Sequence, residues 1–347
     1  MTLNESASEI LADHTTFHIG GRADRVIVVH DELEFIEAVN QADDAATPVL
    51  VMSGGSNMLI SDDGFRGTVI LVATSGVRVT ESACAGAYLT VAAGESWDGL
   101  AERAVDSGWV GLEMLSGIPG LAGAAPIQNI GAYGAEIASS IARVRTFDRL
   151  TRTVTTFWPF NCLFGYRTSV FKQNPGRYLI LDIDLQLELG TLSAPIEYAE
   201  LARHVGADIG ARAPLADVRE AVLDLRRGKG MVLDENDHDT WSAGSFFTNP
   251  IIDADQASRL PQDAPRFSQD DGHIKTSAAW LIDHAGFHKG YGDGPATLST
   301  KHVLALTNRG QATAQDVIAL AREIQEGVRT MYGITLEPEP ILVGLTL

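Results

Sequence analysis

The sequence predicts a mixed α+β protein of two or three domains. Its 347 residues are enough for that number of domains and for a sizeable core. Segment 178–189 alternates apolar and polar residues, which predicts a half-buried strand. Segment 214–227 carries apolar residues at helical spacing, which predicts an amphipathic helix. Between them lies a glycine-rich stretch, 111–137, whose glycines and prolines exclude one regular helix.

Apolar periodicity predicts further strands and helices along the chain. In the first long helix we expect Leu33, Ile36 and Val39 on one inward face, and in the last helix we expect an inward stripe that runs to Met331. The last helix should begin with a capping box formed by Thr313 and Asp316. The predicted strands are 25–29, 48–52, 68–72, 88–93, 143–148, 153–157 and 302–308, and the predicted helices are 31–42, 97–105, 277–284 and 313–331, with another helix starting near Ile196.

The charge balance limits the partners that the protein can bind. The chain carries 26 Lys and Arg residues against 45 Asp and Glu residues, for a net charge of −19. This balance argues against binding to nucleic acid or to an anionic membrane surface. Cys84 and Cys162 form no disulfide framework and fit a reduced, cytoplasmic setting. Residues 1–14 lack the apolar core of a signal peptide, and no apolar run predicts a transmembrane helix.

Two glycine-rich loops are candidates for ligand binding. The segment SGGSN, 53–57, follows a short apolar strand, so its glycines allow close approach and its polar side chains can form hydrogen bonds. The stretch 111–137 holds six glycines, whose amides suit a phosphate or a flat cofactor. A packed turn region explains the second loop equally well, and a simple strand-to-loop turn stays open for the first. Neither loop has the spacing of a Rossmann or Walker motif.

Several polar residues have an ordinary explanation when each is read alone. His14 and His18 stand four apart, but the Thr and Gly residues around them argue against a helix that would pair them, so no metal site is expected. Arg167 could hold a carboxylate through two hydrogen bonds, although a surface salt bridge is the commoner role. Ser245 lies outside any Gly-x-Ser-x-Gly elbow, so a hydrolase is not indicated. Lys229 belongs to a basic cluster at a helix C-terminus, where the helix dipole favours cations.

The letters of the central loop are more specific than its composition. SGIPGLAGAAPIQNIGAYG closely resembles the flavin-binding segment of the UDP-N-acetylenolpyruvoylglucosamine reductase (MurB) family. Further matches include SGGSN, FGYRTS and AGSFFTNP, and Tyr198 is similar to the tyrosine of the longer, Tyr-loop type. The resemblance implies a p-cresol methylhydroxylase/vanillyl-alcohol oxidase-type FAD-binding fold of two subdomains plus a C-terminal α+β substrate-binding domain. The implied ranges are 1–74 with 336–347, 75–228 and 229–335.

The same resemblance implies a reaction and its partners. The family reduces the enolpyruvyl group of UDP-N-acetylglucosamine enolpyruvate to UDP-N-acetylmuramate, a cytoplasmic step of peptidoglycan synthesis, with NADPH as co-substrate. FAD is expected to be bound non-covalently, because no histidine stands in the SGGSN loop, near which related flavoproteins attach the cofactor. We expect NADPH and the enolpyruvyl sugar nucleotide to use one pocket in turn, and we expect a monomer.

The family pattern also implies roles for individual residues. Arg167 and Glu339 would stabilise the negative charge that develops on the substrate, and Ser245 would donate a proton to its C2 atom. Substrate-binding roles fall on Tyr166, Tyr198, Lys229 and Asn249. FAD-binding roles fall on Gly54, Gly55, Ser56, Asn57, Ser116, Pro119, Gly120, Gly123, Ala124, Asn129 and Gly131.

The sequence departs from the family pattern at two positions, and two alternative functions stay open. Ser53 replaces the first glycine of the family's loop, and Ile341 stands where the family often has an arginine. One alternative is another FAD-dependent oxidase or dehydrogenase on the same fold, because a fold does not fix a function. The other is a non-catalytic protein that binds sugar nucleotides through the glycine loops. Oxygen consumption without NADPH would favour the first, and a colourless protein that binds UDP would favour the second.

Overall fold

A computed structural model describes residues 4–347 of the chain, with the backbone alone for Ala7. The chain forms two compact units. Residues 4–9 belong to the first unit together with Ala23–Gly54 and Arg66–Gly228, and the second unit contains Ile10–Arg22, Gly55–Phe65 and Lys229–Leu347. The division into 1–74 with 336–347, 75–228 and 229–335 stays a prediction, and residues 1–3 lie outside the described part. The compact units group these ranges differently, with 336–347 beside 229–335 in the second unit.

The described chain contains both helices and strands throughout its length. The helices are α1 (Glu32–Asp44), α2 (Trp97–Asp106), α3 (Val170–Gln173), α4 (Ala199–Val205), α5 (Leu215–Gly228), α6 (Ala254–Arg259), α7 (Ala278–His284) and α8 (Ala314–Tyr332). The strands are β1 (Asn4–Ala7), β2 (Ala23–Val29), β3 (Val49–Met52), β4 (Met58–Ile60), β5 (Phe65–Val72), β6 (Val77–Ser82), β7 (Gly86–Ala92), β8 (Trp109–Val110), β9 (Gly131–Ala132), β10 (Ala135–Glu136), β11 (Ile141–Asp148), β12 (Thr153–Phe157), β13 (Tyr178–Leu189), β14 (Ile251–Ile252), β15 (Phe267–Ser268), β16 (Ile274–Lys275), β17 (Ala296–Leu298), β18 (Leu306–Asn308) and β19 (Ile341–Val343).

The first unit begins with a four-stranded sheet in the order β1-β2-β5-β3, in which β3 and β5 are parallel. Helix α1 follows β2, and Asp31 caps it by accepting a hydrogen bond from the Glu34 amide. Its buried face consists of Phe35, Ala38, Val39 and Ala42. The prediction that Leu33 faces inward is wrong, because its side chain is 68% exposed. Leu33 lies two residues, or about 200° of helical rotation, before Phe35, and therefore points away from the core.

A larger antiparallel sheet with the order β12-β11-β13-β7-β6 forms the centre of the first unit, and β8 pairs with the end of β13. Helix α2 packs there with Trp97, Leu100, Ala101 and Ala104 buried, which confirms the inward face predicted for 97–105. The prediction that β13 is half-buried is wrong, because residues 179–185 are buried on both of its faces. The polar residues of β13 therefore need hydrogen-bond or ion-pair partners inside the protein.

Buried ion pairs supply those partners. Arg145 of β11 pairs with Asp182 of β13 and also binds Glu32 of α1, with its Nη2 atom 2.8 Å from each carboxylate oxygen of Glu32. Burial raises the pKa of Asp182 above its ordinary value, although Arg145 acts against the shift. Arg145 is the closest cation to this buried carboxylate, and Arg143 Nη2 lies further away, 3.9 Å from Asp182 Oδ1.

A second set of polar contacts involves the facing residues Arg143 of β11 and Asp184 of β13. Arg143 Nε is 2.5 Å from Asp184 Oδ2, and Asp184 is 1% exposed. The Tyr88 hydroxyl donates to the same carboxylate over 2.6 Å. Burial and this hydrogen bond raise the pKa of Tyr88 to about 12. Three neighbouring strands are thereby linked through side chains as well as through their backbones.

We predict that Arg145→Ala will lower the free energy of unfolding by about 3 kcal/mol, because it leaves Asp182 buried without its closest cation. The matched control is Arg66→Ala, since Arg66 is 84% exposed and its pair with Asp24 should contribute less than about 1 kcal/mol. Urea unfolding followed by circular dichroism measures both changes. Equal losses in the two variants would contradict the prediction.

The second unit has a smaller sheet content and a long helix. Strands β4 and β19 run parallel, β17 and β18 form a hairpin, and β14, β16 and β15 form a three-stranded sheet. Helix α8 begins with the predicted capping box of Thr313 and Asp316 and ends at Gly333, whose φ is 68°. Met331 is 55% exposed, so the predicted inward stripe ends earlier, at Val328. The strand predicted at 302–308 forms only at β18, because Ser299 binds the amides of Lys301 and His302 in a turn.

Two observations concern the whole described chain. Within residues 4–347, no helix is both long and apolar enough to cross a membrane. Both cysteines are free thiols: Cys84 is exposed in the turn between β6 and β7, and Cys162 is buried. Burial raises the pKa of the Cys162 thiol to about 12, so it stays protonated at neutral pH.

Candidate functional site

The predicted site residues are divided between the two units. The first unit holds Gly54, Ser116, Pro119, Gly120, Gly123, Ala124, Asn129, Gly131, Tyr166, Arg167 and Tyr198. The second unit holds Gly55, Ser56, Asn57, Lys229, Ser245, Asn249 and Glu339.

In the first unit, the two glycine loops meet backbone to backbone. A Cβ atom placed on Gly54 would lie 3.1 Å from the Cα atom of Gly120. Both residues have positive φ angles, 79° for Gly54 and 106° for Gly120, which favour glycine. The sequence predicted these loops as separate ligand-binding segments. Their contact forms a surface of bare backbone that a ligand can approach closely.

The central loop is fixed to the connection between β7 and α2. The Trp97 amide donates to the Gly120 carbonyl over 3.1 Å, and the Gly123 amide donates to the Ala93 carbonyl over 2.8 Å. The Trp97 indole Nε1 donates to the Leu115 carbonyl over 3.0 Å. Gly123 is required here because a Cβ atom would lie 2.6 Å from the Cβ atom of Ala93. The first half of the loop is therefore held by Ala93 and Trp97.

The loop surface fits a cofactor that offers hydrogen-bond acceptors. The hydroxyls of Ser53 and Ser116 are buried and have no hydrogen-bond partner among residues 4–347. Buried hydroxyls in native proteins normally have a partner, and a bound phosphate or flavin would supply one. Ser53, which replaces the family's glycine, thus adds a donor at the junction of the two loops. These residues would hold FAD at the backbone surface formed by Gly54 and Gly120.

Two charged side chains lie against the same loop. The Gly117 amide donates to Asp98 Oδ1 over 2.6 Å, and Arg219 Nη1 lies 2.7 Å from the same atom. Although burial acts to raise it, the pKa of Asp98 is held below its ordinary value by the hydrogen bonds from Arg219 and from Gly117. Arg226 of α5 lies on the other side, where a Cβ atom on Gly117 would be 3.2 Å from its Nε atom. Burial lowers the pKa of Arg226, which is only 9% exposed.

Asn129 is buried and has the left-handed φ of 49°. Its side chain makes three hydrogen bonds within the protein. Nδ2 donates to Glu136 Oε2 over 2.7 Å and to the Gly165 carbonyl over 3.1 Å, and Oδ1 accepts from the Ala138 amide over 3.1 Å. The predicted contact of Asn129 with FAD stays a prediction, while its visible role is to join the central loop to the segment of Arg167.

Arg167 lies in a tight turn whose ends, Gly165 and Thr168, exchange backbone hydrogen bonds. Its φ of 53° is uncommon for a residue with a side chain, and such strain is concentrated at functional sites. Its Nη2 atom donates to the Gly131 carbonyl over 2.8 Å. The guanidinium carbon also lies 5.6 Å from the centre of the Tyr166 ring. The sequence did not show that the predicted residues Gly131, Tyr166 and Arg167 contact one another.

In the second unit, the remainder of the SGGSN loop binds the C-terminal strand. Gly55 has a φ of 56°, and a Cβ atom there would lie 1.9 Å from the His14 carbonyl oxygen. The Ile341 amide donates to the Asn57 carbonyl over 2.9 Å at the start of β19. Ile341 is thus a backbone partner of the loop, although its side chain, 50% exposed, replaces the family's common arginine.

Ser245 and Glu339 belong to neighbouring segments of the second unit. The Glu339 amide donates to the Phe246 carbonyl over 2.8 Å, and the Thr248 amide donates to the Glu337 carbonyl over 3.0 Å. Because Phe246 follows Ser245 directly, this ladder brings the two predicted catalytic residues together in one unit. Asn249 stands at the end of the same segment, where its Oδ1 accepts from the Ala278 amide at the start of α7.

A cavity of about 710 Å³ in the second unit contains none of the predicted site residues. Trp241, one of its walls, lies between the rings of His18 and His238, with centroid distances of 4.2 Å and 4.4 Å. Its other lining residues are Asp293, Gly294, Pro295, Arg309, Gly310 and Gln311. Within residues 4–347, no three or more His, Cys, Asp and Glu side chains are grouped so that they could hold a metal ion.

The comparisons with known proteins agree with this arrangement. A family described as "FAD binding domain" matches residues 23–156, so the glycine loops belong to a flavin-binding protein. A second family, "UDP-N-acetylenolpyruvoylglucosamine reductase, C-terminal domain", matches residues 235–343. The protein of that name from Cutibacterium acnes is 54% identical to this chain, over 97% of this chain and 90% of its own length. The chain belongs to the UDP-N-acetylenolpyruvoylglucosamine reductase family.

Two further relatives support the assignment over the full length. The UDP-N-acetylenolpyruvoylglucosamine reductase of Thermobifida fusca is 49% identical and covers 100% of both chains. The crystal structure of the reductase from Thermus caldophilus is 26% identical to this chain, with a TM-score of 0.67 over 99% of each chain. The predicted fold class, with its FAD-binding domain and C-terminal domain, is confirmed.

Sequence reasoning did not identify the buried position of Arg226 or the contacts of Tyr133. Arg226 follows Val218 and Val222 at helical spacing, so the periodicity of α5 could have placed it on the buried face. Tyr133 packs beside the core formed by α4 and α5. The sequence signal for Tyr133 was its position directly before Gly134 in the string that resembles the family.

We predict that Gly123→Ala will purify with much less FAD than the unmodified protein, because the added methyl would displace the loop from Ala93. Gly99→Ala is the matched control, since its methyl would meet only Ser96, at 3.4 Å, within the exposed face of α2. The ratio of flavin to protein absorbance after gel filtration measures the effect. Full FAD content in the Gly123 variant would show that the loop position does not control cofactor binding.

Proposed function

We propose that the protein reduces the enolpyruvyl group of UDP-N-acetylglucosamine enolpyruvate, with NADPH as the electron donor and non-covalent FAD as the cofactor. The observation that carries this proposal is the 54% identity to a named reductase over 97% of the chain. When bound, FAD relays a hydride from NADPH to the substrate. The protein then has to orient the substrate and to stabilise the charge that forms on it.

Arg167 is proposed to stabilise the negative charge on the substrate carboxylate. A guanidinium can bind a carboxylate through two parallel hydrogen bonds. The hydrogen bond from its Nη2 atom to the Gly131 carbonyl restricts the orientation of the guanidinium before the substrate arrives. Such preorganisation reduces the cost of reorganising polar groups in the transition state.

Ser245 and Glu339 are proposed to handle the proton and the remaining charge. Ser245 would donate a proton to C2 of the substrate, which has to be a strongly basic centre because a serine hydroxyl is a poor acid in water. Glu339 would stabilise the same intermediate through a hydrogen bond from its protonated carboxyl. The backbone bond between Glu339 and Phe246 supports this pairing of roles, because it holds the two segments together.

The remaining predicted residues are proposed to bind the ligands. Tyr166, Tyr198, Lys229 and Asn249 would hold the sugar nucleotide, with Tyr198 and Lys229 directed to its diphosphate. FAD would contact Gly54, Gly55, Ser56, Asn57, Ser116, Pro119, Gly120, Gly123, Ala124, Asn129 and Gly131. We further propose that the enzyme acts as a monomer in the cytoplasm, and that it serves cell shape and division through peptidoglycan synthesis.

The test of the proposed function uses the purified holoprotein. NADPH should bleach its yellow colour, and the enolpyruvyl sugar nucleotide should then restore the colour without oxygen. Acid precipitation should leave the flavin in the supernatant, because no covalent bond holds it. Flavin in the pellet would contradict non-covalent binding. Restoration of the colour by oxygen alone would support an oxidase instead, and a colourless protein that binds UDP would support a non-catalytic role.

We predict that Ser245→Ala will separate the two half-reactions. NADPH should bleach the variant at nearly the normal rate, because the serine proton is not needed in that step. Recovery of the colour with the enolpyruvyl substrate should be at least about 100-fold slower, as expected for loss of a proton donor. Stopped-flow absorbance measures both steps. Ser258→Ala on the surface of α6 is the control, and slow bleaching in Ser245→Ala would show that Ser245 has another role.

A further inference from the structure

The short hairpin formed by β9 and β10 joins two parts of the first unit that the proposed function uses. Its first strand contains Gly131, whose carbonyl accepts the hydrogen bond from Arg167. Its turn consists of Tyr133 and Gly134, between the paired residues Ala132 and Ala135. The hairpin therefore contacts the proposed catalytic arginine at one end and presents an aromatic side chain at the other.

Tyr133 occupies a backbone position that disfavours it. Tyr133 has a φ of 50° and Gly134 a φ of 87°. Positive φ at both central residues is typical of a type I′ turn, in which Asn, Asp or Gly is preferred at the first position. A tyrosine there costs about 1 kcal/mol or more of backbone strain. A strained residue of this kind is a reason to look for a function in its side chain.

The Tyr133 ring packs directly against Tyr198. The two ring centroids are 5.5 Å apart and the ring planes make an angle of 86°, which is the favourable edge-to-face arrangement. The backbone of the turn lies nearby as well, since a Cβ atom on Gly134 would be 3.7 Å from the Cβ atom of Glu197. Burial raises the pKa of Tyr133 to about 12, so its ring stays neutral at physiological pH.

The backbone on both sides of Tyr198 is held by the start of α4 and by the preceding segment. Tyr198 is the residue before α4, and its side chain makes no capping hydrogen bond to the helix. Ile196, two residues earlier, is fixed by backbone hydrogen bonds with Gly210 and Ala211. The Tyr198 side chain remains 43% exposed, so one side contacts Tyr133 and another is accessible to a ligand.

We propose that Tyr133 is a positioning residue for the sugar nucleotide: its ring holds Tyr198 in the orientation that binds the substrate. This inference rests on the proposed function of Tyr198. The same hairpin also carries the Gly131 carbonyl, so it contacts both the Tyr198 ring and the Arg167 guanidinium. Tyr133 itself needs no contact with the reacting atoms.

We predict that Tyr133→Leu will raise KM for the enolpyruvyl sugar nucleotide about 3- to 10-fold, the range expected for loss of an edge-to-face ring contact. The rate at which saturating NADPH bleaches the flavin should change less than this KM, because Tyr198 is proposed to act mainly on the sugar nucleotide. Tyr133→Phe, which retains the ring, should behave like the unmodified protein. Normal FAD content in both variants shows that they fold, and an unchanged KM in Tyr133→Leu would overturn the proposal.

A double-mutant cycle separates this role from an independent contact of Tyr133 with the substrate. In a Tyr198→Ala background, Tyr133→Leu should change KM less than twofold, because Tyr198 is no longer there to be positioned. The same increase in both backgrounds would overturn the proposal.

A second measurement does not depend on activity. Amide hydrogen exchange of the segment around 197–202 should be faster in Tyr133→Leu than in Tyr133→Phe, because the segment loses one of its contacts. Equal exchange rates in the two variants would overturn the proposed contact, whichever substrate the protein uses. Faster exchange in a protein that fails to reduce the enolpyruvyl substrate would retain the contact and reject the proposed function.

Discussion

The arrangement of the first unit depends on a few backbone hydrogen bonds between the central glycine loop and the edge of the sheet core. Gly123 and Gly120 bind Ala93 and Trp97, and Ala93 in turn donates to Leu181 of the central strand β13. The close approach excludes a side chain at Gly123, where a Cβ atom would lie 2.6 Å from that of Ala93, and the φ of 106° favours glycine at position 120. The bonds also transmit the position of β13 to the loop. The buried ion pairs of β13 stabilise this strand in turn, and the loop is connected to the strand through Ala93.

Much of the fold was predictable because its signals are local. The capping box of α8, the inward face of α2 and the lengths of β12 and β13 follow from residues within one element. The errors arose where the partner of a residue lies far away in the chain. Asp182 and Asp184 appear solvent-exposed in an alternating strand, but arginines from β11 allow both to be buried. Leu33 appears apolar and inward, but the helix turns its neighbour Phe35 to the core.

The candidate site was predictable for a different reason. Its residues came from the resemblance of whole strings to a family, and the chain's membership in that family is now shown by full-length relatives. Their contacts were not predictable, because they join segments distant in sequence. Asn129 reaches Gly165, and Glu339 reaches Phe246, through bonds that no single string contains. The contacts of Tyr133 and the burial of Arg226 were overlooked because both depend on packing.

The left-handed backbone of Arg167 has a consequence for the evolution of the enzyme. A glycine or an asparagine would relieve the strain at this turn and stabilise the fold, because both adopt positive φ more readily. Selection for thermal stability alone would therefore favour replacement of the arginine, and each such replacement would remove the guanidinium. The arginine of this chain therefore carries a cost in backbone stability, which the catalytic role proposed for its guanidinium would offset.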